Sequence, residues 1–291
     1  MRIASLFEQR SEERRQQKRP VFSIELYPPK TTKGVAALKE KLQEICAHHP
    51  DFISVTYGAG GGTRHTTREI CSFIKNQLHT EAMAHLTCSS HTREEIGDLL
   101  TGLRAEGVEN IMALRGDPPS ADDGFAPPPG GFRYAIELVR EIHQQDGFGI
   151  GVAGYPEGHV EAKTYADDLA RQVEKLNAGG DFIISQFFLD NTRFLRWRDD
   201  LRKAGVTAPI VPGILPALSA KQITGFAAKC GVNVPSALVV GLERFAAHPE
   251  SAAAYGLVYA VRQIEALLKE GVDGLHLYAL NRLESIRIVS A

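Results

Sequence analysis

Neither sign of charge is in excess: 33 Lys and Arg stand against 35 Asp and Glu, a formal net charge of −2. No long basic stretch appears beyond the N-terminal run, so a nucleic-acid partner is not expected. Cysteine is scarce as well. Cys46, Cys71, Cys88 and Cys230 are the only four, and no two form a CxxC pair, which argues against a disulfide framework or a zinc ribbon. Met1 to Arg10 lack the apolar core of a secretory leader, and no apolar run is long enough to span a bilayer. Reduced thiols in a cytoplasmic protein that does not touch membranes are therefore expected. The chain also has no GxGxxG between its first strand and first helix, which weakens the case for an open, doubly wound dinucleotide-binding sheet.

What the chain does have is enough apolar material for a large core, 43% of 291 residues. Eight short segments rich in β-branched and apolar residues recur along it: Val21–Tyr27, Phe52–Tyr57, Ala82–Thr87, Asn110–Arg115, Gly149–Tyr155, Phe182–Phe188, Pro209–Leu215 and Gly274–Leu280. Helical periodicity fills the gaps. In the last long gap Leu257, Val261, Ile264 and Leu268 fall on one predicted helix face. A helix-glycine-strand junction repeats at Gly107, Gly179, Gly205 and Gly271, as expected where a left-handed residue closes a helix. Eight such units predict a single α/β domain, a (β/α)₈ TIM barrel over residues 21–291, preceded by an N-terminal helix or arm over 1–20. The charged run Glu8–Arg19 reads as a solvated helix or arm. Pro118–Gly131, rich in proline and glycine, reads as a long loop with room for a lid or binding role. Ser219–Gly271 should hold two or three helices.

Active sites of such barrels form at the C-terminal ends of the strands. Period two puts Ser23, Glu25 and Tyr27 on one face of the first strand and Phe22, Ile24 and Leu26 on the other. Glu25 then points into the barrel near its mouth, either as a paired ion that braces the barrel or as a general acid with a raised pKa. Arg115 and Asp117 flank Gly116 at the end of the fourth strand, as an ion pair or as ligand contacts. Gln186 ends the sixth strand beside aromatics, as a core amide or a binding group. His85 and His159 with a carboxylate could compose a metal site, but no HxH or HExxH spacing supports one, and no metal is expected. Gly58–Gly62 resembles a phosphate loop but lacks the following Lys-Ser/Thr, so a flexible loop is expected.

Taken together, the strand ends resemble methylenetetrahydrofolate reductase. The matching pieces, in order, are FSIELYPP (22–29), SVTYG (54–58), HLTC (85–88), ALRGD (113–117), YPEGH (155–159), ISQFF (184–188), PGILP (212–216) and LYALNR (277–282). The resemblance implies a barrel that binds FAD. NAD(P)H would reduce the flavin and leave, and methylenetetrahydrofolate would then take the hydride on the same face, a ping-pong reduction to methyltetrahydrofolate. It implies three catalytic groups: Glu25 as the acid, Asp117 as a carboxylate near flavin and pterin, and Gln186 as an amide contacting both folate and nicotinamide. Gln222, Phe226, Tyr278, Leu280 and Arg282 match further substrate positions. Thr56, His85, Arg115, Gly116, Asp117, Tyr134, Ala135, Tyr155, His159, Asp168 and Lys175 match flavin-binding positions. The resemblance does not choose between NADH and NADPH or set the direction of flux, and it implies a homo-oligomer. It ends soon after Arg282, so no regulatory domain for adenosylmethionine is expected. Arg171 and Glu174 depart from the Asn and Arg that bacterial relatives often carry toward the far end of FAD. Three rival readings remain at this point: a folate-handling barrel without flavin, a metal-dependent hydrolase or aldolase, and a non-catalytic barrel.

Overall fold

Every strand in this chain alternates or runs apolar for a reason set by its neighbours. The structure, a computed structural model, describes residues 1–8, 20–58, 64–88, 91–116 and 127–289. β1 (Val21–Leu26) lies parallel between β2 (Phe52–Val55) and β9 (Gly274–Tyr278). Parallel pairing continues through β3 (Glu81–Thr87), β4 (Asn110–Leu114), β5 (Gly149–Gly154) and β6 (Phe182–Ser185). The predicted seventh strand is split in two. β7 (Ile210–Val211) pairs with β6, and β8 (Gly213–Ile214) pairs with β9. Pro212, between them, has no N–H to donate, but its carbonyl accepts from His276 N at 3.0 Å. Because β7 and β8 are two halves of one segment, the sheet closes into the expected TIM barrel.

Beyond a helical segment over residues 3–8, ten helices are described: α1 (Thr32–Cys46), α2 (Arg64–Gln77), α3 (Arg93–Ala105), α4 (Ala135–Gln144), α5 (Tyr165–Asn177), α6 (Asn191–Lys203), α7 (Ala220–Cys230), α8 (Ser236–Arg244), α9 (Pro249–Lys269) and α10 (Leu283–Val289). The sequence marks both ends of many of them. Thr92 starts α3 with a reciprocal cap: its hydroxyl accepts from Glu95 N at 3.2 Å, and Glu95 Oε2 accepts from Thr92 N at 2.8 Å. The four junction glycines all adopt positive φ, from +67° at Gly271 to +122° at Gly179. The stretch between strands seven and eight holds three helices, α7 to α9. On α9 the buried stripe runs through Leu257, Ala260, Ile264 and Leu267, while Leu268 is 41% exposed and Val261 only partly buried. The stripe steps by three and four residues from Leu257 and so passes Leu268 on its neighbour's side. Gly256 lets α9 approach the chain after β8, since a Cβ there would lie 1.6 Å from Ala217 O.

The core has two shells. Phe22, Ile24 and Leu26 face outward into the layer between sheet and helices, where Val35, Leu38 and Leu42 of α1 meet them. Inside the barrel, the N-terminal end is filled by Phe52, Met83, Met112, Phe182, Ile184 and Val211. A helical turn over residues 3–8 closes that end from below with Ile3, Leu6 and Phe7, and the Phe7 and Phe182 rings lie 5.6 Å apart. The described part of the expected arm is thus packed against the barrel. Beyond Glu8, the charged run lies outside the described residues, as do most of the loop expected over 118–131 and the glycine run after Gly58.

Candidate active site

Where the apolar filling stops, the inward positions turn polar. A cavity of about 440 Å³ opens at the C-terminal ends of the strands, with Glu25, Thr56, His85, Arg115, Gln186 and Tyr278 in its lining. A hollow of about 470 Å³ on the outer helices is built from groups already paired with each other, such as Lys39 with Glu69 at 2.7 Å and Arg68 with Glu106 at 2.6 Å. No inner strand end reaches it, so the barrel cavity is the candidate site.

Glu25 projects inward from β1, as period two requires, with its side chain 19% exposed. Its Oε2 lies 3.4 Å from Nε2 of both His85 on β3 and His276 on β9. His276 is buried and Nδ1 meets Ser23 Oγ at 2.8 Å, one step below Glu25 on the same strand. Burial pushes the Glu25 pKa up, but the imidazoles of His85 and His276 outweigh it, and the carboxyl falls below the usual range. This corrects the expectation of a raised pKa: period two placed the carboxylate but could not supply its partners. Burial holds His85 below the ordinary imidazole value despite the adjacent carboxylate. Ser54 Oγ, buried beside Glu25 in register, has no hydrogen-bond partner among the described residues.

Tyr278 completes this floor. Its hydroxyl donates to Ser185 O at 2.7 Å, and its ring stands edge-on to His276 at 5.2 Å. Burial, reinforced by the Glu25 carboxylate, raises its pKa well above the ordinary phenol, so it stays a donor. The ring fits because position 213 is glycine; a Cβ there would approach the Tyr278 ring to 2.5 Å. Gln186 takes the Phe187 N–H on its Oε1 at 2.9 Å, which leaves its NH₂ for a ligand. Phe226 of α7 and Leu280 also line the cavity. Leu280 and Asn281 both hold positive φ, +52° and +56°, directly after β9, a strained turn for residues with side chains. Asn281 fixes that turn by clamping Tyr27, accepting from its N–H at 3.1 Å and donating to its carbonyl at 2.9 Å.

A buried polar network sets the opposite wall. Gln172 Oε1 accepts from Trp197 Nε1 at 2.9 Å and from Tyr155 N at 3.2 Å. Gln172 Nε2 donates to Asp168 at 2.6 Å, and Asp168 also accepts from His159 N at 3.1 Å. Lys175 Nζ donates to Ala153 O at 2.6 Å and sits 5.6 Å from the Tyr155 ring centre. Burial lowers its pKa to about 8 against the pull of Asp168. His159 packs edge-on to Tyr155 at 4.7 Å, and burial lowers its pKa too. Asp168 and Lys175 therefore stand behind the cavity lining, with Tyr155 and His159 in it.

Four other described candidates, Tyr134, Ala135, Gln222 and Arg282, are not in the cavity lining. Tyr134 is 54% exposed at the start of α4, followed by Ala135, and neither is in the lining. Gln222 turns its Oε1 back to Leu218 N at 2.9 Å, capping α7 from within. Arg282 is exposed. Asp117 lies outside the described residues, next to Gly116 in the lining. Sequence reasoning missed His276 and the clamp Asn281. The first had a signal: in Gly274–Tyr278 period two sends Leu275 and Leu277 outward and His276 inward. Among the described residues no group of three or more His, Cys, Asp or Glu is arranged to hold a metal ion, and no described helix is long and apolar enough to cross a membrane.

The family model for methylenetetrahydrofolate reductase matches residues 10–291. The chain belongs to the methylenetetrahydrofolate reductase family. It is 41% identical over 281 residues to a probable methylenetetrahydrofolate reductase (NADH) of Oryza sativa subsp. japonica, covering 92% of this chain and 47% of the relative. With the 5,10-methylenetetrahydrofolate reductase of Escherichia coli it shares 36% over 262 residues, covering 90% of this chain and 86% of the relative. The chain thus spans about half the length of its plant relatives in the family and most of the bacterial one. Among solved structures, a Clostridium thermocellum protein described as binding two copies of 5-methyl-5,6,7,8-tetrahydrofolic acid superposes with a TM-score of 0.60 at 13% identity, over 96% of this chain and 97% of that one. At that identity the likeness speaks for the barrel fold alone.

Proposed function

We propose that this chain reduces 5,10-methylenetetrahydrofolate to 5-methyltetrahydrofolate with NAD(P)H, in a ping-pong hydride transfer through FAD. The observation that carries the reading is the carboxylate of Glu25 inside the cavity, held between two imidazoles in a barrel of this family. The donor set of the cavity suits a flavin dinucleotide: Arg115 supplies a cation in the lining, with Lys175 behind it, and Thr56 and His85 offer hydrogen-bonding groups on the floor. When bound, FAD supplies two-electron hydride chemistry.

This chain's residues do the rest. Opening the bridging methylene of the substrate requires a proton on the leaving nitrogen, and Glu25 is the donor. Its resting charge means that the carboxyl must take up a proton from solvent before it can give one to the substrate. A pterin covering the carboxyl would deepen its burial and move its pKa back up. Gln186 orients folate and nicotinamide in turn through its free NH₂, and Phe226 packs on the substrate from α7. Tyr278 and Leu280 line the substrate side, and Asp117 is assigned the carboxylate near the pterin and flavin. Gly116, Tyr155 and His159 join Arg115 on the flavin wall, with Asp168 behind. Four cysteines that form no disulfide suit a reducing, cytoplasmic compartment, and we expect a homo-oligomer.

Anaerobic half-reaction kinetics test the reading. NAD(P)H should bleach the bound flavin, and methylenetetrahydrofolate should then restore its colour. One observation favours a second reading, a folate-binding barrel without flavin. Arg171 and Glu174 are engaged with each other at 2.8 Å on the exposed face of α5, where relatives often carry Asn and Arg. A colourless preparation that takes up no added FAD would decide for it.

A further inference from the structure

Two loops meet over the wall that follows β4 and β5. Arg115 lines the cavity with a side chain 19% exposed, and its guanidinium donates to both carboxylate oxygens of Glu161, at 2.5 and 2.7 Å. Glu161 is 54% exposed, outside the cavity lining, and its described side-chain hydrogen bonds all go to Arg115. Its backbone N–H donates to His159 Nδ1 at 3.1 Å, so the neutral ring presents Nε2–H.

Among the described residues, this wall brings together Arg115 in the lining, Lys175 behind it, and two carboxylates, Glu161 and Asp168. Asp168 is buried and fixed by His159 N and Gln172 Nε2. Glu161 is the only one of the two that can leave, since water solvates it readily and its loop is at the surface. The pair contributes little on the Glu161 side, because that exposed carboxylate is nearly as well solvated away from Arg115. A diphosphate offers the same fork of N–H donors more acceptor oxygens and more charge. While Glu161 stays in place it competes for the guanidinium and repels an incoming anion.

We propose that Glu161 is a displaceable counter-ion that holds Arg115 in position and yields it to the diphosphate of the flavin dinucleotide. The inference rests on the flavin reading above and deepens it. Glu161 is a positioning residue, acting on cofactor affinity and not on hydride transfer.

Flavin-fluorescence titration of the whole chain tests this. Glu161→Gln removes the charge at constant size on an exposed loop. Its Kd for FAD should fall about twofold to fivefold, the range of exposed ion pairs, while its Kd for riboflavin, which has no phosphate, stays unchanged. The gain should vanish in an Arg115→Ala background. Unchanged or weaker FAD binding, or an equal gain for riboflavin, overturns the proposal. Failure of the flavin reading looks different: neither form of the chain binds FAD or riboflavin. Calorimetry with ADP, a diphosphate without a flavin, then decides. Tighter ADP binding by Glu161→Gln supports the exchange, and equal, weaker or undetectable binding overturns it.

Discussion

The two ends of the barrel interior are built from the same strands in the same inward register, yet they follow opposite rules. At the N-terminal end Phe52, Met83, Met112 and Phe182 fill the lumen, and Ile3, Leu6 and Phe7 seal it. A few residues further along each strand the inward positions become Glu25, His85, Gln186 and Tyr278, around a cavity of about 440 Å³. The lower end holds the barrel together by burying apolar surface. The upper end keeps polar groups in a partly desolvated space, some with incomplete hydrogen bonding: Ser54 Oγ and His85 Nε2 are both buried without a well-aligned partner among the described residues. That arrangement costs stability and leaves donors and acceptors ready for a ligand.

Substitutions at each end should therefore fail in different assays. The largest effect is expected at the top. Glu25→Gln should slow reoxidation of reduced flavin by methylenetetrahydrofolate on the order of 10³-fold, about 4 kcal/mol on the barrier, with flavin reduction by NAD(P)H nearly unchanged. Equal loss in both half-reactions would contradict the acid role. At the bottom, Phe182→Ala should cost about 3–4 kcal/mol of unfolding free energy by denaturant titration. Its folded fraction should keep both half-reactions; a selective loss of folate reduction would erase the contrast between the ends.

A smaller effect separates Glu25 from its partners. His276→Leu removes an imidazole that lowers the Glu25 pKa, so that pKa should rise. The pH profile of the folate half-reaction should move upward with it, and a fixed profile would sink the pairing argument. The sign for stability follows from the same shifts. Glu25 lies below its ordinary value of 4.5 and His85 below 6.5. Both contributions are present above the unfolded values and are lost as pH falls through the folded ones, so the upper end should weaken on acidification. The smallest effect is at Lys175, whose pKa burial lowers to about 8. Lys175→Met should raise stability at neutral pH by about 1 kcal/mol while weakening FAD binding, read by thermal melting and flavin fluorescence. A melt that drops would show that the cation contributes net stability.

Much of this contrast was legible before any fold was built. The eight strands and the glycine junctions follow from composition and periodicity, as does the inward face of Ser23 and Glu25. The break at Pro212 was present as a residue but not as a consequence, because a missing N–H matters only once a neighbouring strand is known to need one. The periodicity predicts a stripe on α9 through Leu268, whereas the core between sheet and helices takes in Leu267 instead. Among the site residues, Tyr134, Gln222 and Arg282 were placed by resemblance; their own local bonds and exposure keep them out of the cavity lining.

The sequence by itself determined the parallel barrel, the end of the barrel that carries the polar groups, and the family to which the chain belongs. These depend on patterns of period two and 3.6, on glycine positions and on motifs that are local in the chain. Only the tertiary structure decided the direction in which the Glu25 pKa moves and the pairing of Arg115 with Glu161. His276 is 251 residues from Glu25 and Glu161 is 46 from Arg115. A pKa is set by the groups within a few ångströms, and barrel closure is what brings those groups together.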